Sequence, residues 1–132
     1  MRSFLDTNVA VYAFDTADPR RQSAAIAILQ SDAELVVSTQ VLLEAWWVLT
    51  RKFRLPDDTA SEVVAQLGRL PVVSTDRQLA SDAILLSRTR QLAVWDALIV
   101  EAARTAGCER VLSEDLQHGQ DFGGVVIENP FA

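Results

Sequence analysis

Residues 1–14 read MRSFLDTNVAVYAF. An apolar pair, Phe4-Leu5, runs into a polar triplet, Asp6-Thr7-Asn8, and a second apolar run follows from Val9 to Phe14. Ser3-Phe4-Leu5 is a candidate first strand, and Asp6 falls where that strand ends. A carboxylate in that place either closes a turn or belongs to a site. The rest of the chain has to decide which.

Beyond this stretch, short β-like runs alternate with longer helix-like ones. Asp18-Pro19 starts a helix, with Asp18 as cap and Pro19 at the first helical position. Glu34 to Val37 is a second strand. Ser38 or Thr39 then caps a long helix through Val41, Leu42, Ala45, Trp46 and Leu49 to about Phe53. Leu55-Pro56-Asp57 breaks the chain, and helical period returns from Asp57 to Leu70. Pro71 to Ser74 is a third strand. Thr75 or Asp76 caps the next helix, and another runs from near Ala93 to Ala106, where Gly107 stops it. Arg110-Val111-Leu112 and Val125-Val126-Ile127 are the fourth and fifth strands, with a glycine-containing polar loop between them. This alternation implies right-handed crossovers and an α/β fold: a central parallel sheet of about five strands, with helices on both faces.

The 132 residues suit a single domain, 1–132, large enough to bury about two-thirds of its chain surface. Apolar residues make up 49% and charged residues 23%, a globular balance. No apolar stretch approaches the ~20 residues of a membrane span. The N-terminus meets Asp6 too early for a signal peptide. One cysteine, Cys108, excludes an internal disulfide and is expected to be a small half-buried residue. A cytoplasmic location is therefore expected. The net charge of −6 argues against a non-specific nucleic-acid coat. However, eleven of the twelve basic residues are arginines, which suit bidentate phosphate contacts.

Four acids stand out by position. Asp6 ends the first strand and Asp115 follows the fourth, so both lie beyond the carboxyl ends of strands, where α/β sheets bind ligands. Glu44 lies about two turns into the helix leaving the second strand. Asp96 lies in the first turn of the helix that begins near Ala93. Glu44 and Asp96 sit among apolar neighbours, where an unpaired charge is expensive. Each acid has a plain structural reading: a turn or cap residue for Asp6 and Asp115, a helix-start acid for Asp96. Taken together, four acids at mutually consistent places suggest a site for a hard divalent cation such as Mg²⁺, which takes oxygen ligands and bridges to phosphate.

Four stretches resemble the PIN-domain ribonucleases, and more narrowly the VapC-type toxins of bacterial toxin–antitoxin pairs. They are Phe4 to Val9, Ser38 to Glu44, Trp95 to Ile99 and Leu112 to Leu116, in the family's order and spacing. The resemblance covers nearly the whole chain and implies a PIN-like three-layer sandwich. The family's acids fall on Asp6, Glu44, Asp96 and Asp115. Its polar residue after the first acid falls on Thr7 or Asn8, and its fourth-motif hydroxyl on Ser113. Glu114 adds an adjacent acid that could compete to face the metal; Asp115 is the one expected there.

The resemblance implies hydrolysis of RNA phosphodiesters with Mg²⁺ or Mn²⁺, leaving a 3′-hydroxyl and a 5′-phosphate. It further implies a cognate antitoxin whose C-terminal segment covers the acid site. Two other readings compete: a PIN nuclease of RNA processing without an antitoxin, and a non-catalytic PIN-like binding module, which would be expected to have lost an acid. A haloacid-dehalogenase-like phosphatase would want an Asp at position 8, where Asn8 stands. No glycine-rich phosphate loop is present. His118, the only histidine, is either an exposed loop residue or an RNA contact. Asp121 is expected to be a loop acid. Trp46, Trp47 and Trp95 are either core residues or a surface for a partner helix or a homodimer. Arg51, Lys52 and Arg54 either contact RNA phosphates or complement the helix dipole.

Overall fold

The computed structural model describes residues 1–132. Its centre is strand β1, Arg2–Leu5, whose Phe4 and Leu5 are fully buried. The chain then turns at once into a short helix, α1, Thr7–Tyr12. Helix α2 is Pro19–Leu29, capped by Asp18 as its sequence predicts. Strand β2, Glu34–Ser38, leads into α3, Thr39–Trp47, with the Ser38 side chain accepting from the Val41 N–H. Helix α3 does not run regularly to Phe53. It widens into a π turn over Val48–Lys52. Helix α4 is Asp57–Leu67, strand β3 is Val72–Val73, and helices α5 and α6 are Arg77–Arg90 and Val94–Thr105. Strands β4, Arg110–Leu112, β5, Asp121–Phe122, and β6, Val125–Glu128, complete the sheet.

The strand order is β3-β2-β1-β4-β6-β5, and every pairing is parallel except β5 with β6. The sheet thus has six strands rather than about five. The sixth is a two-residue antiparallel edge strand that contains Asp121, expected as a loop acid; its carboxylate accepts from the Gly124 N–H across the turn. The arginines of two helices pin this edge. Arg104 donates to the carbonyls of Phe122 and Gly123, and the Arg90 guanidinium lies 4.7 Å from the centre of the Phe122 ring.

The chain winds from β1 through β2 to β3 in one direction, then returns across the sheet to β4 on the other side of β1. With right-handed crossovers, α1–α4 cover one face and α5–α6 the other. Between β1 and β4 the winding reverses, which opens a crevice beyond the strand ends. The register places Leu5 beside Leu112, so Asp6 and Ser113 emerge next to each other there. One buried apolar cluster runs along the sheet and includes Phe4, Val36, Val41, Leu49, Val100, Val111 and Ile127. No helix is long and apolar enough to cross a membrane.

Candidate active site

Asp6 ends β1 and caps α1. Its N–H donates to the Leu112 carbonyl of β4, so backbone pairing fixes its position. Its carboxylate is buried, with 5% of the residue exposed. One oxygen accepts from the Thr7 N–H at 2.7 Å, the other from the Ser113 hydroxyl at 2.8 Å. Burial raises the Asp6 pKa from 3.8 to about 7, against those two hydrogen bonds, and the charges of Asp115 and Glu44 push it the same way. Both bland and functional readings of Asp6 therefore describe part of what it does. It is a helix cap, but one hydrogen bond to a cap does not require a desolvated carboxylate facing two further acids.

Glu44 arrives from α3, half-buried, with both oxygens held. The Thr7 hydroxyl donates to one at 3.0 Å. The Gln40 amide, one turn earlier on α3, donates to the other at 2.7 Å and also reaches the Trp95 carbonyl at 3.3 Å. Gln40 thus ties the Glu44 helix to the start of α6, next to Asp96. Gln40 lies within the Ser38–Glu44 stretch without being one of the expected site residues; its four-residue spacing from Glu44 on a helix is the signal that marks it. Asp96 accepts no hydrogen bond and does not cap α6, whose cap residue is Ala93. Burial raises its pKa, and the charges of Asp115 and Glu44 add to the effect.

Adjacent Glu114 and Asp115 have different roles. Both oxygens of Glu114 are engaged. The Tyr12 hydroxyl donates to it at 2.8 Å and Arg21 Nε at 2.6 Å, and Arg21 is itself flanked by the Tyr12 and Phe131 rings. Asp115 is exposed, and only its backbone N–H is engaged, by the Ser113 hydroxyl oxygen at 3.1 Å. Asn8 holds the same loop by accepting from the Glu114 N–H. Thr7, Asn8, Tyr12, Glu44, Glu114 and Asp115 line one cleft of about 240 Å³, and Lys52 and Phe53 line it from the π turn.

The acids share one sheet edge and feel one another's charge, yet they do not close round a common point. No three acidic, histidine or cysteine side chains stand near enough, as placed, to hold a metal ion. Like charges resist closer approach, and Glu44 is tethered by Thr7 and Gln40. Even so, the donor set suits a hard divalent cation: it is all oxygen, and the buried Asp6 carboxyl feels two further acids with no cation paired to it.

Several other sequence readings resolve against the structure. His118 does not line the acid cleft; it lies in a groove with Met1, Glu109 and Arg110, and its Nδ1 accepts from the Asn129 N–H. Trp46 packs partly against the core, while Trp47 and Trp95 are 62% and 66% exposed. Cys108 is buried rather than half-buried, and burial pushes its thiol up to about 11, which keeps it unreactive at neutral pH.

A conserved-sequence model of the PIN domain matches residues 3–120, and the chain belongs to that family. Its fold is shared with several solved toxin structures. VapC20 of Mycobacterium tuberculosis, a sarcin–ricin-loop-cleaving toxin, is 20% identical with a TM-score of 0.67, covering 86% of this chain and 91% of that one. A toxin–antitoxin complex from Klebsiella pneumoniae is 17% identical with a TM-score of 0.70, covering 97% of each chain. VapBC2 of Rickettsia felis, bound to a DNA fragment from its promoter, is 16% identical with a TM-score of 0.67, covering 98% of each. No curated protein matches the chain by sequence.

Asp96 allows a test that needs no substrate. Because its carboxylate accepts no hydrogen bond and its neighbours are acids, Asp96→Asn is expected to melt a few degrees above wild type in EDTA. In wild type, a divalent ion at ten times its dissociation constant should add about 1.4 kcal/mol, or roughly 3–5 °C. The variant should gain less. Melting curves of both proteins in EDTA and in Mg²⁺ measure this, and equal metal responses would remove Asp96 from any metal site.

Proposed function

We propose that the chain is a divalent-metal-dependent ribonuclease and the toxin of a toxin–antitoxin pair. The observation that carries this reading is the buried Asp6 carboxylate, held by Thr7 and Ser113 and facing the charges of Glu44 and Asp115. Membership in the PIN family and a fold shared with toxin–antitoxin proteins support it. Asp6, Asp96 and Asp115 would hold Mg²⁺ or Mn²⁺ directly or through water, with Glu44 orienting a water. When bound, such an ion supplies an acidified water and neutralises charge on the scissile phosphate.

The chain's own residues do the positioning. Hydrogen bonds from Ser113 and Thr7 favour the charged form of Asp6 and oppose the burial that favours its neutral form. Thr7 and Gln40 fix the Glu44 rotamer. Tyr12 and Arg21 engage both Glu114 oxygens, which leaves Asp115 as the acid of that pair free to take an ion. Cleavage should leave a 3′-hydroxyl and a 5′-phosphate. The test is incubation of the purified protein with total RNA, in Mg²⁺ or in EDTA, with mapping of the new ends. New 5′-phosphate ends in Mg²⁺ alone are expected, and no cutting in either condition would reject the reading.

Two partner surfaces follow from the same reading. An apolar slot of about 200 Å³ runs between Phe14, Leu29, Leu35, Val63, Leu67 and Leu70, and suits the apolar face of an antitoxin helix. An antitoxin Arg or Lys reaching the acid cleft would replace the metal's charge and silence it. On another side, Leu43 and Trp47 lie one turn apart on α3, both exposed, with Trp95 also exposed at the start of α6. We assign that face to a homodimer, since Trp is enriched where chains meet. A location in the cytoplasm agrees with an RNA substrate.

A further inference from the structure

Lys52 is the only lysine of the chain, and the only Lys or Arg lining the acid cleft. All five ion pairs of the molecule use arginine, so its ammonium is unpaired although Glu44, Glu114 and Asp115 line the same walls.

Its place depends on an uncommon piece of backbone. In a regular α-helix, the eighth residue beyond Glu44 would sit about 80° further round the axis. The π turn over Val48–Lys52, closed by the Phe53 N–H to the Val48 carbonyl at 3.0 Å, is wider. It brings Glu44, Val48 and Lys52 onto one wall, and all three line the cleft. Two residues later Arg54 takes a left-handed conformation, φ 53°, and the Leu55 N–H turns back to the Leu49 carbonyl. A helix that merely ended here would more naturally use glycine at the left-handed position. A π turn and a left-handed arginine both cost energy and tend to collect at functional sites.

Electrostatics indicates what the cation is for. A chain of net charge −6 repels RNA. A metal ion held by the acids would offset the phosphate being cut, but not the next one along the strand. We propose that Lys52 binds the phosphate beside the scissile one and so sets the strand's path through the cleft. This rests on the ribonuclease reading given above. Lysine suits the task because it meets phosphate as a point charge, without the fixed fork of arginine.

The test uses Asp6→Asn protein, which should not cut, and a fluorescein-labelled pool of mixed-sequence single-stranded RNA in Mg²⁺. Binding is read by anisotropy over a salt series. Adding Lys52→Gln should weaken binding about tenfold and make the slope of log affinity against log salt about 0.7 shallower. Arg51→Gln, the same charge change one residue away and outside the cleft, should keep the parental slope. Lys52→Arg should stay close to the parent. If Lys52→Gln matches the parent, or if both glutamine variants weaken binding equally, the assignment is overturned while the ribonuclease reading stands on cleavage by wild type. If wild type neither binds nor cuts RNA, that underlying reading fails instead.

Discussion

Asp6→Asn is expected to lower Mg²⁺-dependent RNA cleavage by about a thousandfold or more while leaving the fold intact. Loss of a ligand charge removes several kcal/mol of transition-state stabilisation, and each 1.4 kcal/mol or so is worth tenfold in rate. The fold should survive because asparagine caps helices as well as aspartate. Its amide oxygen can still accept from the Thr7 N–H, and the Ser113 hydroxyl can rotate to accept from the amide nitrogen. Asp96→Asn should behave alike, with even less structural risk. Single-turnover cleavage, run beside circular dichroism, gives the answer. Full activity in either folded variant would mean that the acids at this sheet edge do not form the catalytic centre.

A second large effect concerns stability in the absence of metal. The Asp6 pKa rises from 3.8 to about 7 on folding. A carboxyl raised in this way takes up a proton as the chain folds. Its contribution is fully present below about pH 4, falls as the pH climbs, and is lost once the pH has passed about 7. At roughly 1.4 kcal/mol for each tenfold change in proton affinity, the swing is on the order of 4 kcal/mol. That corresponds to a fall in melting temperature on the order of 10 °C. In EDTA, wild type should therefore lose stability between pH 4.5 and pH 8, while Asp6→Asn should lack this component and be the more stable protein at pH 8. Subtracting one melting series from the other cancels the remaining carboxylates. Parallel curves would show that Asp6 is not the desolvated group described above.

Strong local signals made much of this fold legible in the sequence. Asp18-Pro19 announced α2, Ser38 announced α3, and the apolar runs at Phe4, Leu35 and Val111 marked the three central strands. Helix α1 was hidden because Val9 and Val11 are β-branched in a run too short for a period to emerge; what makes it helical is the Asp6 cap and its packing against α2 and α3. Strand β5 has two residues and no pattern of its own, and it depends on Arg104 and Arg90 reaching over from helices. The π turn carries no sequence mark at all. Of the candidate acids, Asp6 and Asp115 stand out because each lies beyond a strand, and Glu44 and Asp96 because each lies in a helix among apolar neighbours. The separate fates of Glu114 and Asp115 could not be read in this way, since Tyr12 and Arg21 lie about a hundred residues earlier in the chain.

The backbone bond from Asp6 to Leu112, and the hydroxyl bond from Ser113 back to Asp6, join segments more than a hundred residues apart in the chain. This has a consequence during protein synthesis. While the chain is being made, β1 leaves the ribosome first but lacks its neighbour on one side, because β4 is translated more than a hundred residues later. Pairings of such long sequence separation also form slowly once both partners are present. The acid cluster therefore does not exist on a nascent chain, however much of the first three strands has folded. The site is completed only once residues 110–115 have emerged and β4 has found its place beside β1.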